Sequence, residues 1–391
     1  MLRGMPLPSV RLRKDLSLHI AAGHPWVYAD ALAAPASAAT GAVVDVLGVD
    51  GRFVARGLWD GESPIAVRIY TGDAGEAVDD ALVRRRLSAA LAARVGAFDE
   101  TTTDCFRWCN GEGDSLPGVV VDVYARTAVV RFDGEAARAL KSGVIAALPS
   151  LRPLDQIYER SRGARGEVLW GTEPPRPVEV KEHGARFGVD VHSGQKTGFF
   201  LDQRENRRLL GGFAGGLDVV NLFGYTGGFS VHCALGGAQR VTTVDVARQA
   251  LVDAAANFRR NGLDDDAHAF VCEDAFGWMR RTADEGRRFG LTIVDPPSFA
   301  PSERTLKKAL AAYRDLNVLG LKLVAPGGLL ASASCSSHVD MEAFCTMLAA
   351  AAVAARRPIR ILELRGQPAD HPSLPAFPEG RYLKFVLARV D

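Results

Sequence analysis

The residue types most suited to chemistry cluster in the C-terminal half of the chain. Asp245 closes the apolar run Arg240-Val241-Thr242-Thr243-Val244, and Glu273-Asp274 follows Ala269-Phe270-Val271-Cys272. Asp295 opens Asp295-Pro296-Pro297-Ser298-Phe299, and Cys335 stands in Ser334-Cys335-Ser336-Ser337-His338. A glycine-rich stretch, Gly224-Tyr225-Thr226-Gly227-Gly228, follows the apolar run Leu217–Phe223. A carboxylate 21 residues beyond Gly224, as Asp245 is, can accept hydrogen bonds from two ribose hydroxyls. Asp274 can meet an adenine amino group. Thr226 stands two positions after Gly224, where a pyrophosphate-binding G-x-G-x-x-G would have glycine. The combination describes an adenosine ligand without phosphates, which S-adenosylmethionine is. Helix capping is the competing reading of Asp245 and Asp274.

The Asp-Pro-Pro turn offers one carboxylate and a rigid backbone, because proline fixes φ and removes a donor. A flat base can dock there. Cys335 has polar neighbours at the end of a strand-like run, whereas the other five cysteines have no comparable context. Cys105 and Cys109 are four apart without a second ligand pair at metal spacing, so they are expected to be structural thiols and no metal is expected.

These residues need a scaffold. From residue 190 onward, strand-like runs alternate with helical ones: 217–223, 240–245, 269–272, 291–295 and 328–334. Repeated strand-then-helix units predict a parallel, doubly wound α/β sheet, which binds ligands beyond the C-terminal ends of its strands. Residues 1–75 read differently. Short strands at 42–47, 53–58 and 65–70 are separated by Asp50-Gly51 and Asp60-Gly61 turns, as in a small β-barrel. Residues 76–185 predict a helix at 78–96, with Leu82, Leu87, Leu91 and Val95 on one side. Strands at 104–109, 118–124 and 127–132 follow, then a helix at 134–147 and a strand at 155–160. This is a small α+β domain, and Glu173-Pro174-Pro175-Arg176-Pro177 reads as a linker.

The chain has 391 residues, 47% hydrophobic and 24% charged, which suits a globular protein of two or three domains. No apolar stretch is long enough for a membrane span, and the start, Met1-Leu2-Arg3-Gly4-Met5-Pro6, lacks a secretory apolar region. A cytoplasmic protein without a membrane partner is expected. The net charge of +1 means that any nucleic-acid surface must be local.

The sequence resembles the bacterial large-subunit (23S) ribosomal RNA cytosine-5 methyltransferase family with an N-terminal PUA domain. Carrying the resemblance are His24-Pro25-Trp26-Val27-Tyr28, Lys196-Thr197-Gly198-Phe199-Phe200-Leu201-Asp202-Gln203-Arg204 and Asn221-Leu222-Phe223-Gly224-Tyr225-Thr226-Gly227-Gly228-Phe229-Ser230. To these are added the Asp295–Phe299 and Ser334–Ser336 segments, Ala369-Asp370-His371-Pro372 and Pro378-Glu379-Gly380. The likeness implies a PUA barrel (1–75), a central RNA-binding α+β domain (76–185) and a Rossmann-like class I methyltransferase domain (186–391). It implies that Asp202, Gln203 and Arg204 border the methionine end of S-adenosylmethionine. Asn221, Phe223, Gly224, Thr226, Gly227, Asp245, Asp274 and Asp295 complete the candidate cofactor site. Ser298 departs from the Lys or Thr that often follows the two prolines.

The implied chemistry starts from a poor nucleophile, carbon 5 of cytosine. A Cys335 thiolate adding to carbon 6 makes it reactive, while Asp295 holds the N3 and amino edge. The target is expected to be unpaired or flipped out. Two other readings remain open: a base-nitrogen methyltransferase working through the Asp-Pro-Pro-Ser-Phe loop, and an RNA-binding assembly factor with an idle catalytic domain. A homodimer is also left open.

Overall fold

The computed structural model describes residues 7–161, 166–299 and 306–391. The terminal segment Met1–Pro6, where a secretory signal was sought, lies outside the described residues. The chain divides into two compact units. The first comprises residues 1–178, 189–199 and 369–380, and the second residues 179–188, 200–368 and 381–391.

In the first unit, β1 (Ser9–Arg11), β2 (Trp26–Tyr28), β3 (Val43–Leu47), β4 (Phe53–Trp59) and β5 (Ile65–Thr71) form a sheet in the order β1-β3-β4-β5-β2. A short helix, α1 (Ser17–Ala21), joins its first two strands. The Asp50-Gly51 turn closes β3 onto β4, with Gly48 N–H on Arg52 O at 2.8 Å and Arg52 N–H on Asp50 Oδ1 at 3.0 Å. Alternating inward residues, among them Val44, Val46, Ala55 and Val67, form a core of their own.

The helix α2 (Asp80–Ala92) starts at Asp79, whose side chain accepts from Leu82 N–H. It buries Leu82, Val83, Leu87 and Ala90. It ends before Val95, which is 78% exposed rather than on the inner side as the spacing suggested. The strands β6 (Cys105–Asn110), β7 (Val119–Tyr124) and β8 (Thr127–Phe132) precede α3 (Lys141–Leu151), and β9 (Gln156–Glu159) follows it. A further strand, β10 (Glu167–Gly171), escaped the sequence reading because only its middle residues are partly buried. The sheet runs β10-β9-β8-β7-β6. Its core includes Trp108, Val121, Val130 and Leu148, and extends to Leu58 and Tyr70 of the preceding sheet.

The strands β11 (Val178–Glu182) and β12 (Ala185–Val189) form a two-stranded sheet, which leads into α4 (Arg204–Phe213) in the second unit. From here strands and helices alternate: β13 (Asp218–Leu222), α5 (Gly228–Leu235), β14 (Arg240–Asp245), α6 (Arg248–Arg260), β15 (Ala269–Cys272), α7 (Ala275–Asp284), β16 (Phe289–Val294), α8 (Leu306–Leu323), β17 (Val324–Ser334) and α9 (Met341–Ala355). Two final strands, β18 (Ile359–Arg365) and β19 (Lys384–Val390), complete a seven-stranded sheet in the order β15-β14-β13-β16-β17-β19-β18. The first five are parallel, as the alternation predicts, while β19 runs antiparallel to β17 and β18. Buried strands with both faces covered explain the near-continuous apolar runs. The chain reverses its direction of travel across the sheet between β13 and β16, so a crevice opens at their C-terminal ends.

Candidate active site

The turn after β13 is strained and tightly braced. Phe223 and Tyr225 adopt left-handed backbone conformations, with φ of 58° and 46°. Gly224 N–H bonds to Val244 O at 2.9 Å, and Tyr225 N–H donates to Asp245 Oδ2 at 2.8 Å. A Cβ on Gly224 would lie 2.4 Å from Thr243 Cγ2, so only glycine lets the turn sit this close to β14. Gly227, with φ of 79°, starts α5. Thr226 is buried, and its carbonyl accepts from Asn257 Nδ2 at 2.9 Å. Asn221 lies in the sheet, its Nδ2 on Ser230 Oγ at 2.9 Å, and that hydroxyl meets Thr243 Oγ1 at 2.7 Å. The Asn221 Oδ1 is buried without a hydrogen-bond partner among the described residues.

The second oxygen of Asp245, Oδ1, accepts from Ala247 N–H at 2.8 Å. Each carboxylate oxygen therefore holds one backbone donor and keeps lone-pair capacity for another. Asp274 stands beyond the end of β15 as the N-cap of α7, its Oδ2 accepting from Gly277 N–H at 2.8 Å. The capping reading is realised there, with the second oxygen outside that bond.

Asp202, Gln203 and Arg204 are all buried at the start of α4. Asp202 Oδ2 accepts from Tyr382 OH at 2.8 Å. Asn206 Nδ2 donates to Gln203 Oε1 at 2.7 Å, and Gln203 Nε2 donates to Asp295 Oδ2 at 3.0 Å. This relay orients the amide so that its NH₂ faces the Asp-Pro-Pro carboxylate. Arg204 is fully buried, with Nε on Glu205 Oε1 at 3.0 Å. Burial pushes the Glu205 carboxyl up, but hydrogen bonds from His183 and Arg204 outweigh it and hold the group at about 2. The motif carrying these residues is split. Lys196–Phe199 belongs to the first unit, where Thr197 Oγ1 donates to Asp122 Oδ2 at 2.6 Å.

Asp295 and Cys335 follow the neighbouring strands β16 and β17, whose register pairs Val294 with Ser332. Adjacent strands lie about 4.8 Å apart, so these two functional groups are brought to one stretch of the rim. Their loops are tied together: Ser298 Oγ meets Ser336 Oγ at 2.8 Å, and Tyr313 OH meets Ser336 Oγ at 2.9 Å. Ser298, the departure from the family pattern, thus has a structural role. Cys335 is half-buried between the fully buried Ser334 and Ser336. All six cysteines are thiols. Burial pushes the Cys233 thiol up to about 12, and Cys109 and Cys345 also upward, which suppresses reactivity. One correction concerns Cys272. It too ends a strand at this rim and is exposed, so Cys335 is not alone there. Three strand steps, roughly 14 Å, separate β15 from β16, so Cys272 falls on the Asp245 side and away from Asp295.

Sequence reasoning missed Asn206, Tyr382 and Lys384. Lys384 is 2% exposed at the start of β19, with Nζ donating to Ser336 O and to Tyr382 O, the latter at 2.6 Å. Burial pushes its ammonium down to about 8. A lone lysine within the apolar stretch Tyr382–Val390 was the available signal.

The other segments of the resemblance lie in the first unit. Trp26 packs on Phe377 with ring centres 4.5 Å apart and donates to Glu112 Oε1 at 2.9 Å. Asp370 Oδ2 accepts from Arg107 N–H at 3.0 Å. Those residues hold structure together.

A family model for S-adenosylmethionine-dependent methyltransferases matches residues 154–373, and one for a PUA-like domain matches residues 10–72. A protein of Alteromonas mediterranea named ribosomal RNA large subunit methyltransferase I is 38% identical over 94% of this chain and 95% of its own. An Aeromonas hydrophila protein of the same name is 37% identical over 97% and 99%. Among solved structures, a Streptococcus mutans protein assigned as an S-adenosylmethionine-dependent methyltransferase superposes with a TM-score of 0.87 at 23% identity, covering 97% of this chain and 99% of that one. A chain assigned as a methyltransferase and complexed with S-adenosylhomocysteine also reaches 0.87 at 23% identity, covering 98% and 100%. The parallel sheet, the crevice at its switch point and these matches lead to one conclusion: the chain belongs to the S-adenosylmethionine-dependent methyltransferases, in the family of the proteins named ribosomal RNA large subunit methyltransferase I, and carries a PUA-like domain.

Proposed function

We propose that this protein methylates carbon 5 of a cytosine in large-subunit ribosomal RNA, with Cys335 as the nucleophile and Asp295 as the residue that holds the base. Support for the substrate comes from the named relatives, which match along almost the whole chain. The single observation that carries the chemistry is the pairing of a thiol with a carboxylate on neighbouring strand ends, tied through Ser298 and Ser336. A base-nitrogen methyltransferase has no use for that thiol. The target cytosine is unpaired or flipped out, because carbon 6 is inaccessible within a stack. The barrel (1–75) and the α+β region (76–185) serve RNA binding, the remainder (186–391) catalysis, and the site of action is cytoplasmic ribosomal RNA. Among the described residues no helix is long and apolar enough to cross a membrane.

The residues fit the cofactor. Gly224 leaves the turn without a Cβ where one would strike Thr243, and both Asp245 oxygens retain acceptor capacity for ribose hydroxyls. Phe223, Gly224, Thr226 and Gly227 shape that wall, Asn221 braces it from the sheet, and Asp274 takes the adenine amino group. Asp202, Gln203 and Arg204 stand at the methionine end. When bound, S-adenosylmethionine supplies an electrophilic methyl group on a sulfonium.

The protein's own residues then act on the base. The Cys335 sulfur lone pair forms a bond to carbon 6, and the carbon 5–carbon 6 π pair becomes available at carbon 5. Asp295 holds the N3 and amino edge and stabilises a proton at N3. Gln203, oriented by Asn206, holds the Asp295 carboxylate in place by its Oδ2. After methylation, loss of the carbon 5 proton returns the pair to the ring, and the sulfur leaves with the electrons of its bond to carbon 6.

The test uses RNA with 5-fluorocytosine at the target. Fluorine at carbon 5 cannot leave as a proton, so the wild-type protein is expected to form a denaturant-resistant adduct. Cys335→Ala is expected to lose adduct and methylation while keeping cofactor affinity. Methylation at near wild-type rate in Cys335→Ala would move the assignment to a base nitrogen, and absence of any methylation by the wild type would favour an RNA-binding assembly factor.

A further inference from the structure

We propose that Lys384 is a positioning residue that holds Cys335 in place and stabilises its thiolate by charge, an assignment that rests on the cytosine-5 reading of the site. Lys384 is paired with Ser334, the residue before Cys335, across the antiparallel β17–β19 ladder. Its side chain runs along the ladder, and Nζ donates to the carbonyl of Ser336, the residue after Cys335. Lys384 thus meets the chain on both sides of the thiol, through its own backbone at Ser334 and through its ammonium at Ser336. A second N–H goes to Tyr382 O at 2.6 Å. An ammonium has three donors, so a third N–H and the positive charge remain.

Lys384 is 2% exposed, on a strand whose other residues are apolar except Arg389. A buried ammonium is costly unless paired, and two neutral carbonyls leave its charge uncompensated. Two acidic groups face it. Cys335 from β17 and Asp340 from the start of α9 favour its charged form, while burial opposes that form more strongly and brings it down to about 8. The Tyr313 hydroxyl from α8 faces Cys335 as well, and burial keeps that phenol protonated. Asp202 is linked to Lys384 through Tyr382, whose hydroxyl donates to Asp202 Oδ2 at 2.8 Å. Of the anions that could form here, the thiolate is the one on the residue bracketed by the lysine's backbone contacts.

The thiol gives its proton to water, the S–H pair stays on sulfur, and the thiolate rests beside the ammonium until it adds to carbon 6. Cations beside a cysteine lower its pKa in this way. Because the ammonium itself titrates near 8, the assistance holds below that pH and fades above it. Tyr382 joins the same device to the cofactor segment, since its hydroxyl binds Asp202 while its carbonyl binds Lys384.

The experiment measures iodoacetamide labelling of Cys335 against pH in the full-length protein, with fragment-ion mass spectrometry separating Cys335 from Cys345. In Lys384→Met, which keeps length and loses charge, the labelling midpoint is expected to rise by one pH unit or more. The labelling rate at pH 7 is expected to fall about tenfold. Lys384→Arg is expected to recover most of the shift. An unchanged midpoint in a folded Lys384→Met that binds S-adenosylmethionine as the wild type does would overturn the proposal. If Lys384→Met does not fold, the wild-type titration decides: a midpoint below the ordinary thiol value of ~8.5 supports the pair, and one at or above it refutes it. The 5-fluorocytosine adduct reports separately on the function. Loss of the adduct in the wild type with the labelling shift intact would fell the cytosine-5 reading and leave the ion pair standing.

Discussion

Gly224→Ala tests the turn on which the cofactor reading depends. The added Cβ would lie 2.4 Å from Thr243 Cγ2 and 3.1 Å from Asn221 Nδ2. Carbon atoms in contact ordinarily sit about 3.5–4.0 Å apart, so the overlap with the threonine methyl exceeds 1 Å. Thr243 cannot step aside. It is fully buried in the middle of β14, and its hydroxyl is held on Ser230 Oγ at 2.7 Å. Its branched side chain has few rotamers. The turn must therefore move outward, lengthening the Gly224 N–H bond to Val244 and displacing Tyr225 from Asp245. Overpacking of this kind costs roughly 1–3 kcal/mol. Expressed in binding, that range is a rise of about 5- to 150-fold in the S-adenosylmethionine Kd. Calorimetric titration measures it, with a thermal melt to separate lost affinity from lost fold. Thr243→Ser removes the offending methyl and keeps the hydroxyl, so Gly224→Ala/Thr243→Ser is expected to regain most of the affinity relative to Thr243→Ser alone. Wild-type affinity in Gly224→Ala, or no recovery in the double variant, would refute the steric argument.

Asp245→Ala removes a charged acceptor for two hydroxyls and is expected to weaken S-adenosylmethionine binding by about 1.5–3 kcal/mol; an unchanged Kd would remove Asp245 from the site. Glu182 is fully buried and binds Arg207 at 2.6 Å and His232 at 3.0 Å; burial raises its carboxyl, but these two partners prevail and hold it well below the usual range. Glu182→Gln, which removes the buried carboxylate that Arg207 and His232 share, is expected to cost roughly 3–5 kcal/mol in urea unfolding, and a loss under 1 kcal/mol would contradict the geometry. Glu205, held at about 2 in the folded chain against roughly 4.3 unfolded, contributes stability that is present above the unfolded value and lost as pH falls through the folded one. Glu205→Gln is therefore expected to flatten the acid limb between those values, and an unaltered acid limb would contradict the assignment. Arg11→Glu with Lys14→Glu changes two exposed residues of the barrel and is expected to weaken RNA binding and lower its salt slope while sparing cofactor affinity; equal loss of both would sink the division of labour.

Much of the catalytic sheet was legible without coordinates. Parallel strands buried on both faces must be apolar runs, and helices between them carry the connections, so the alternation from 217 to 334 leads to one architecture. The carboxylates at strand ends and Cys335 after the last parallel strand follow from the same logic, since the rim is where the backbone leaves the sheet. Local turn chemistry likewise marked the Asp50-Gly51 hairpin. What depended on distant partners was not legible. The reversal to antiparallel pairing in β19 and β18 carries no pattern of its own, because a strand beside either neighbour is equally apolar. Val95 fits the helical period of α2, yet the helix stops at Ala92 and leaves it in solvent. Asn206 reads as an ordinary polar residue of a helix, and the bond of Gln203 to Asp295 at 3.0 Å, 92 positions away, is made only by folding. Lys384 is the extreme case. Its apolar neighbours in sequence hint at burial, but its place beside Cys335 is made by a strand pairing between residues 50 positions apart. Propensity and period act over a few residues; an ammonium's solvation is decided by whatever the whole chain packs around it.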